Sequence, residues 1–490
     1  MTTETRPWSD ALAGRSPTRR LGRVTRVVGL EIEATRLPSA IGDLMWIGSA
    51  RRPAEVVAIR PNAVVLMPIG AMDGIAAGDV VEATGEPPKL DVGEGLIGRV
   101  VNHAGLPIDS RGPIQGPTER VDVLGSIPNP LARQRILDPI DLGVRVLDTA
   151  LTSGCGQRIG IMAGSGVGKS TLLGMVARGT SADVVVVGLI GERGREVREF
   201  LEDDLGPDGA PRTCVVVATS DEPALVRRRA AFTATRIAEH FADSGKHVLL
   251  LLDSLTRIAM AQRDIGLAAG EPPTTRGYPP STFNTLPQLL ERAGPREHGS
   301  ITGIYTVLVE GDDMNEPVAD HARSILDGHV VLSRRLASAG HYPTVDVLES
   351  ASRLATKVQT PEQTALVQHL RRLMAAWESG RDLVEIGAYE PGANDDLDEF
   401  IARRQLIDDF LRQGVDHVEP GAVAWSRLRD VLEAPVALPR SEEIPAEAFA
   451  AGLPAAPAGF GGPDAGYIAA DDPALVPPVQ TFGGMAGGGR

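Results

Sequence analysis

Ala163-Gly164-Ser165-Gly166-Val167-Gly168-Lys169-Ser170-Thr171 follows the apolar run Arg158–Met162 and precedes a segment of helical composition. A strand, a glycine-rich turn and a helix in that order are what a phosphate-binding loop needs. Glycines let successive backbone N–H groups wrap an anion, and the helix N-terminus turns its positive end on the same point. In such a loop Lys169 reaches the β- and γ-phosphates of a nucleotide, and the Ser170 hydroxyl holds Mg²⁺. The strict pattern has glycine at its first position, where Ala163 stands. The later glycines line the phosphates, so one methyl is a small departure. A merely flexible turn would not require the strand before it and the helix after it. ATP and Mg²⁺ are therefore expected at Gly164, Ser165, Gly166, Val167, Gly168, Lys169, Ser170 and Thr171.

Hydrolysis needs further groups. A second carboxylate on the Mg²⁺ side belongs at the end of a neighbouring strand, and the run His247–Ser254 supplies Asp253. Its other possible use is to cap the next helix. Beside a phosphate loop the metal role is the stronger, because open α/β sheets gather ligand groups at the carboxyl ends of their strands. A group must also orient or deprotonate the attacking water. Glu192 ends the apolar run Val184–Ile190, within Gly191-Glu192-Arg193-Gly194-Arg195-Glu196. These residues alone leave two readings open. Glu192 is catalytic, or Glu192/Glu196 and Arg195/Glu199 are solvated charges four apart on a helix. Spacing selects no transition-state arginine.

The 490 residues suit about three domains. Residues 1–18 are polar and expected to be loose. Six β-rich runs between Gly22 and Thr84, at about ten-residue spacing, read as a small closed β-barrel. That domain is taken as 19–88, up to the proline-bearing Glu86–Lys89. From 89 to 359 apolar β-branched runs alternate with helical segments. Runs such as Val184–Ile190 and Val248–Leu252 suit strands buried on both faces of a mostly parallel sheet. After Val358, Thr360-Pro361-Glu362-Gln363 is a capping box opening a helix towards Gly380. Helices over Leu397–Gln413, stopping at Gly414, and Ala422–Leu432 complete a helical domain, 360–434. The remaining 435–490 hold 9 Pro and 10 Gly, a disorder-like composition. The fold class is α/β, with a barrel before a P-loop domain of the RecA-like kind and helices after it.

Bulk properties narrow the function. A net charge of −15 argues against a nucleic-acid partner. No apolar run reaches the roughly 18 residues of a membrane span, and the N-terminal stretch lacks a signal-peptide core, so the chain is expected in the cytoplasm. Cys155 and Cys214, the only cysteines, have no CxxC spacing and suit a reducing compartment.

Several longer stretches carry a family likeness: Gly22–Gly29, IGDLMWI, GLIGRVVNHAGLPID, Asp141–Gly174, LIGERGREVREF, RGYPPSTFNTLPQLLERAG, the run from VLVEGDDMNEPVAD to LESASR, and GAYEPG. Together they resemble the flagellar and type III secretion ATPases, within the rotary ATPase catalytic subunits. AGSGVGKS and GDDMNEPVAD favour that branch over the ATP synthase β subunit, whose acidic DELSEED loop is missing. The resemblance implies that Glu192 activates water, since a non-catalytic subunit carries glutamine there. It also implies that Arg353, closing Ser350-Ala351-Ser352-Arg353, reaches a neighbour's nucleotide, and that Tyr342 stacks on adenine. Thr344 departs from the small residue or proline usual after Pro343.

By the same resemblance a homohexameric ring is expected, with each Mg²⁺ held by Ser170 and, through water, Asp253. Expected partners are stator/regulator and central-stalk proteins, export chaperone–substrate complexes and, peripherally, the export gate at the cytoplasmic face of the inner membrane. The motifs do not separate flagellar from virulence export; the flagellar system, as the commoner, is the expectation. An ATP synthase β subunit and an RNA-translocating Rho-like helicase are the rival readings, opposed respectively by the loop variant and by the acidic charge.

Overall fold

Alternation of apolar and polar residues between turns builds six antiparallel strands, β1 (Arg20–Val28), β2 (Glu31–Thr35), β3 (Leu44–Ile47), β4 (Arg52–Ile59), β5 (Ala63–Pro68) and β6 (Val80–Ala83). They close into a barrel in the order β1-β2-β5-β4-β3-β6. Period two sends Val24, Ile32, Met45, Ile47, Leu66 and Val81 inside it. The structure, a computed structural model, describes residues 20–309 and 313–436. Residues 1–18 and the tail from 437 onward, expected to be loose, lie outside the described residues.

The central sheet contains β7 (Val100–Val101), β8 (Arg158–Ala163), β9 (Val184–Glu192), β10 (Thr213–Thr219), β11 (His247–Asp253), β12 (Ser300–Leu308), β13 (Gly328–Leu332) and β14 (Val345–Ser352). Their order is β14-β13-β8-β12-β11-β9-β10-β7, parallel except for β14. In β9, Val184, Val186 and Ile190 enter one core, while Val185, Val187 and Leu189 enter the core on the other face. That two-sided burial is why the run is apolar without alternation. Helices α1 (Lys169–Gly179), α2 (Ala224–Asp243) and α3 (Leu255–Ala268) cover the faces.

Three helices follow: α4 (Pro361–Glu385), α5 (Asp395–Leu411) and α6 (Gly421–Glu433). The capping box forms, with the Thr360 hydroxyl accepting from Gln363 N–H at 3.2 Å and the Gln363 side chain accepting from Thr360 N–H at 2.9 Å. Helix α4 runs past Gly380, where the expected helix stopped. The bare position is a packing site, and a Cβ there would strike the buried Leu397 side chain of α5. Helix α5 is shifted, starting at the Asn394 cap and ending at Leu411 rather than at Gly414. Gln413 lies beyond its end because its amide is committed to the central domain, as described below.

A close approach also sets the position of the turn that follows Glu192. In α1, Gly174 lets the backbone of Asp204 come so near that a Cβ would lie 2.5 Å from the Asp204 carbonyl oxygen. The Thr171 hydroxyl donates to the Asp204 side chain in the same contact. Backbone cannot give way as a side-chain tip can. Gly174→Val should therefore lower stability by about 1–3 kcal/mol, as overpacking does, read as a fall in the urea midpoint. An unchanged midpoint would show that the 200–205 turn shifts freely against α1.

Candidate active site

The glycine-rich loop emerges from β8, which lies between β12 and β13, with Ala163 in register with Leu308 and Leu332. The Ala163 methyl is buried in the core, so alanine at the first loop position does not crowd the turn. Gly166 (φ 78°) and Gly168 (φ 89°) adopt the left-handed conformation that disfavours side chains. Gly168 is the residue from which α1 starts. Ser165, Gly166 and Ser170 are exposed on this rim, while Gly164 and Val167 are buried.

Lys169 is only 12% exposed, and its ammonium donates to two carboxylates from two other strands. One is Asp253 Oδ1 at the end of β11; the other is Glu192 Oε1 at the end of β9, 3.3 Å away. The Thr306 hydroxyl, from β12 between β8 and β11, donates to the same Asp253 oxygen at 2.6 Å. Asp253 does not cap the following helix; Ser254 does, accepting from Arg257 N–H at 3.4 Å. The helical-charge reading of Glu192 likewise does not describe this site. Arg193 pairs with Glu196 at 3.0 Å, Arg195 lies 3.8 Å from Glu196, and Glu192 turns to Lys169.

Burial pushes the Glu192 carboxyl up to about 7; the Lys169 ammonium opposes the shift, and Asp253 with a hydrogen bond to Glu196 reinforces it. Burial works against charge on Lys169 as well. Asp253 and then Glu192 overcome that cost, so the ammonium is held above its ordinary value. The site thus presents a fixed cation and two carboxylates in different environments, one of them poised near neutrality, where a general base works best.

Tyr342 is 46% exposed, and its ring lies over Gly168, where a Cβ would be 3.6 Å from Cε1. Beside it, the buried Thr344 hydroxyl donates to the Val167 carbonyl at 2.6 Å. Arg353 is not brought to this cluster. Strand β14 runs antiparallel, so Val345 pairs with Leu332 at the loop edge while Ser352 pairs with Gly328. Four residues at about 3.3 Å each carry Ser352 some 13 Å towards the opposite edge. There Arg353 is exposed, and its guanidinium donates to the Arg323 carbonyl at 2.9 Å. Sequence reasoning missed Thr306, whose only signal was a hydroxyl near the end of an apolar strand. It passed over Thr256, whose hydroxyl accepts from Leu308 N–H at 2.9 Å.

Residues 143–352 match the ATP synthase alpha/beta family, nucleotide-binding domain, and residues 359–430 match the T3SS EscN ATPase C-terminal domain. The flagellum-specific ATP synthase of Bacillus subtilis (strain 168) is 51% identical over 403 residues, 81% of this chain and 92% of that one. Among solved structures, the assembled ATPase EscN from the type III secretion system of enteropathogenic E. coli aligns with a TM-score of 0.81 at 45% identity, covering 84% of this chain and all of that one. The same ATPase in complex with its central stalk EscO gives 0.79 at 44%, with the same coverage. Barrel, nucleotide-binding sheet and helical bundle follow one another as in those proteins. The chain is a member of the flagellar and type III secretion ATPase family, an ATP-binding branch of the ATP synthase alpha/beta fold.

Proposed function

We propose that this chain hydrolyses ATP at sites completed by two copies of itself and so drives protein export through a flagellar type III apparatus. The observation that carries the catalytic part is the convergence of Lys169, Glu192 and Asp253 at one edge of the sheet, where the glycine loop opens. Lys169 and the loop N–H groups of 164–171 hold the phosphates. Ser170 and, through water, Asp253 would offer the oxygen donors that a hard cation prefers. Bound Mg²⁺ would neutralise charge on the phosphates. Glu192 aligns water towards the γ-phosphate and takes its proton, and the Tyr342 ring offers a face to adenine.

Arg353 completes the reading from the neighbour. It stands at the opposite edge from its own Lys169, so a head-to-tail arrangement of identical subunits is what brings such an arginine to a phosphate loop. A closed hexameric ring satisfies every site in this way. The assembled EscN and its complex with the central stalk EscO support a ring that works with a stalk; stator/regulator proteins and chaperone–substrate complexes are further partners in this proposal. Among the described residues no helix is long and apolar enough to cross a membrane. Contact with the export gate, at the cytoplasmic face of the inner membrane, is then peripheral. The greater identity to a flagellum-specific relative, 51% against 45% for EscN, favours the flagellar system.

Glu192→Gln tests the water-activating role. ATP binding should persist while hydrolysis falls by roughly 10²-fold or more; turnover near wild type would remove Glu192 from the mechanism. Stability adds an independent readout. Because the folded protein raises the Glu192 carboxyl from 4.5 to about 7, its favourable contribution is present below the lower value and is lost as pH rises through the upper. Without nucleotide, the unfolding temperature of Glu192→Gln relative to wild type should therefore climb between about pH 5 and pH 8. A constant difference would mean that Glu192 does not titrate there.

Arg353 is tested by mixing. Lys169→Ala and Arg353→Ala subunits should each be inactive alone. In random equimolar rings about one interface in four joins an intact loop to an intact arginine. Single-turnover hydrolysis should return at up to roughly a quarter of the wild-type amplitude. No recovery in confirmed mixed rings would place Arg353 outside the neighbour's site.

A further inference from the structure

We infer that Thr344 is a positioning residue for nucleotide binding, its hydroxyl setting the direction of one backbone donor of the phosphate loop. The inference rests on the loop's role in holding phosphates. The Thr344 hydroxyl is buried and donates to the Val167 carbonyl at 2.6 Å. Val167 and Gly168 share one planar trans peptide, in which the C=O and the N–H point in opposite directions. Fixing the carbonyl outward therefore fixes the Gly168 N–H inward, at the foot of α1, where an anion meets the helix dipole. Gly168 needs such a constraint. Its left-handed φ of 89° is one of several conformations open to glycine, and a free peptide plane would flip at little cost.

The anchor of this device lies in another part of the chain. Thr344 follows the segment His341–Pro343, whose Tyr342 ring lies over Gly168. The Tyr342 carbonyl accepts from Gln413 N–H at 2.9 Å. The buried Gln413 amide is itself pinned three ways. It accepts from Arg145 N–H at 2.9 Å and donates to the Gly143 carbonyl at 2.8 Å and the His417 carbonyl at 2.6 Å. Residues 341–344 thus form a strap between the end of α5 and the phosphate loop. Its last contact is the one that reaches the loop backbone.

The test compares side chains that differ only in the hydroxyl: Thr344→Val against wild type, and Thr344→Ala against Thr344→Ser. A fluorescent ATP analogue reports affinity, steady-state hydrolysis separates KM from kcat, and thermal melting reports folding. Loss of one such hydrogen bond should raise both the analogue's Kd and the KM for ATP by about five-fold. The kcat should stay within about two-fold and the melting temperature should fall only modestly, as loss of one buried hydrogen bond implies, with the protein still folded; Thr344→Ser should bind and melt close to wild type. The inference is overturned if the folded Val and Ala variants bind as wild type and serine do. It is equally overturned if serine is impaired as much as alanine, since the hydroxyl would then be irrelevant. If Val does not fold, the Ala/Ser pair decides the matter. Lys169→Ala keeps the two ideas apart. Its binding the analogue normally would sink the phosphate-loop reading itself, whereas its failure to bind beside unaffected Thr344 variants would sink the strap alone.

Discussion

A buried ammonium tolerates no vacancy around it. Lys169 is largely removed from water, and a charge so placed persists only when opposite charges and hydrogen bonds replace its hydration. Asp253 and Glu192 supply them, and Thr306 in turn bonds Asp253. Four side chains from four different segments must therefore agree in position to within hydrogen-bond length. The sheet makes this possible. Strands β8, β12, β11 and β9 are consecutive neighbours and all parallel, so their carboxyl ends lie along one line. Parallel neighbours need crossover connections, which is why residues close in the site lie far apart in the chain.

Under the proposed function, the same topology accounts for a site that one subunit does not complete. Along the main path of the sheet β14 reverses direction, and it carries Arg353 away from the edge where Lys169 stands. On that reading, the cation and carboxylates of one edge would meet the arginine of a neighbour's other edge. Surfaces of that kind propagate head to tail and close when the rotation between copies allows it. Under the proposed function, each subunit's exposed arginine is then no defect of packing but half of a neighbour's site.

The helical bundle shares a hydrophobic core with the central sheet and reaches the site through specific polar contacts. Gln413 gathers Gly143, Arg145, His417 and Tyr342 around one residue just beyond α5. It replaces the expected run of helix to Gly414 with a junction between domains. Four hydrogen bonds on one buried amide residue form a stiff joint, because leaving any of these groups unpaired in the interior is costly. Residues 341–344 are thereby bonded at one end to the residue beyond α5 and at the other to the phosphate loop.

Much of this was readable locally. Six alternating runs became the six barrel strands, and the apolar runs through Val184 and Val248 became buried parallel strands. The order strand, glycine turn, helix around Lys169, the carboxylates ending two strands, and the Thr360/Gln363 box all follow from backbone preference and burial period, which neighbours in the chain decide between themselves. Partner choice did not follow. Glu192, besides its hydrogen bond to Glu196 on the adjacent helix, turns to a lysine 23 residues away. The cap beside Asp253 went to Ser254, the last turns of α4 ignored Gly380, and Thr344, noticed only as an unusual residue, bonds a carbonyl 177 residues distant. Such choices depend on which buried polar groups the assembled sheet leaves facing one another. That is a property of three-dimensional packing, and no local pattern contains it.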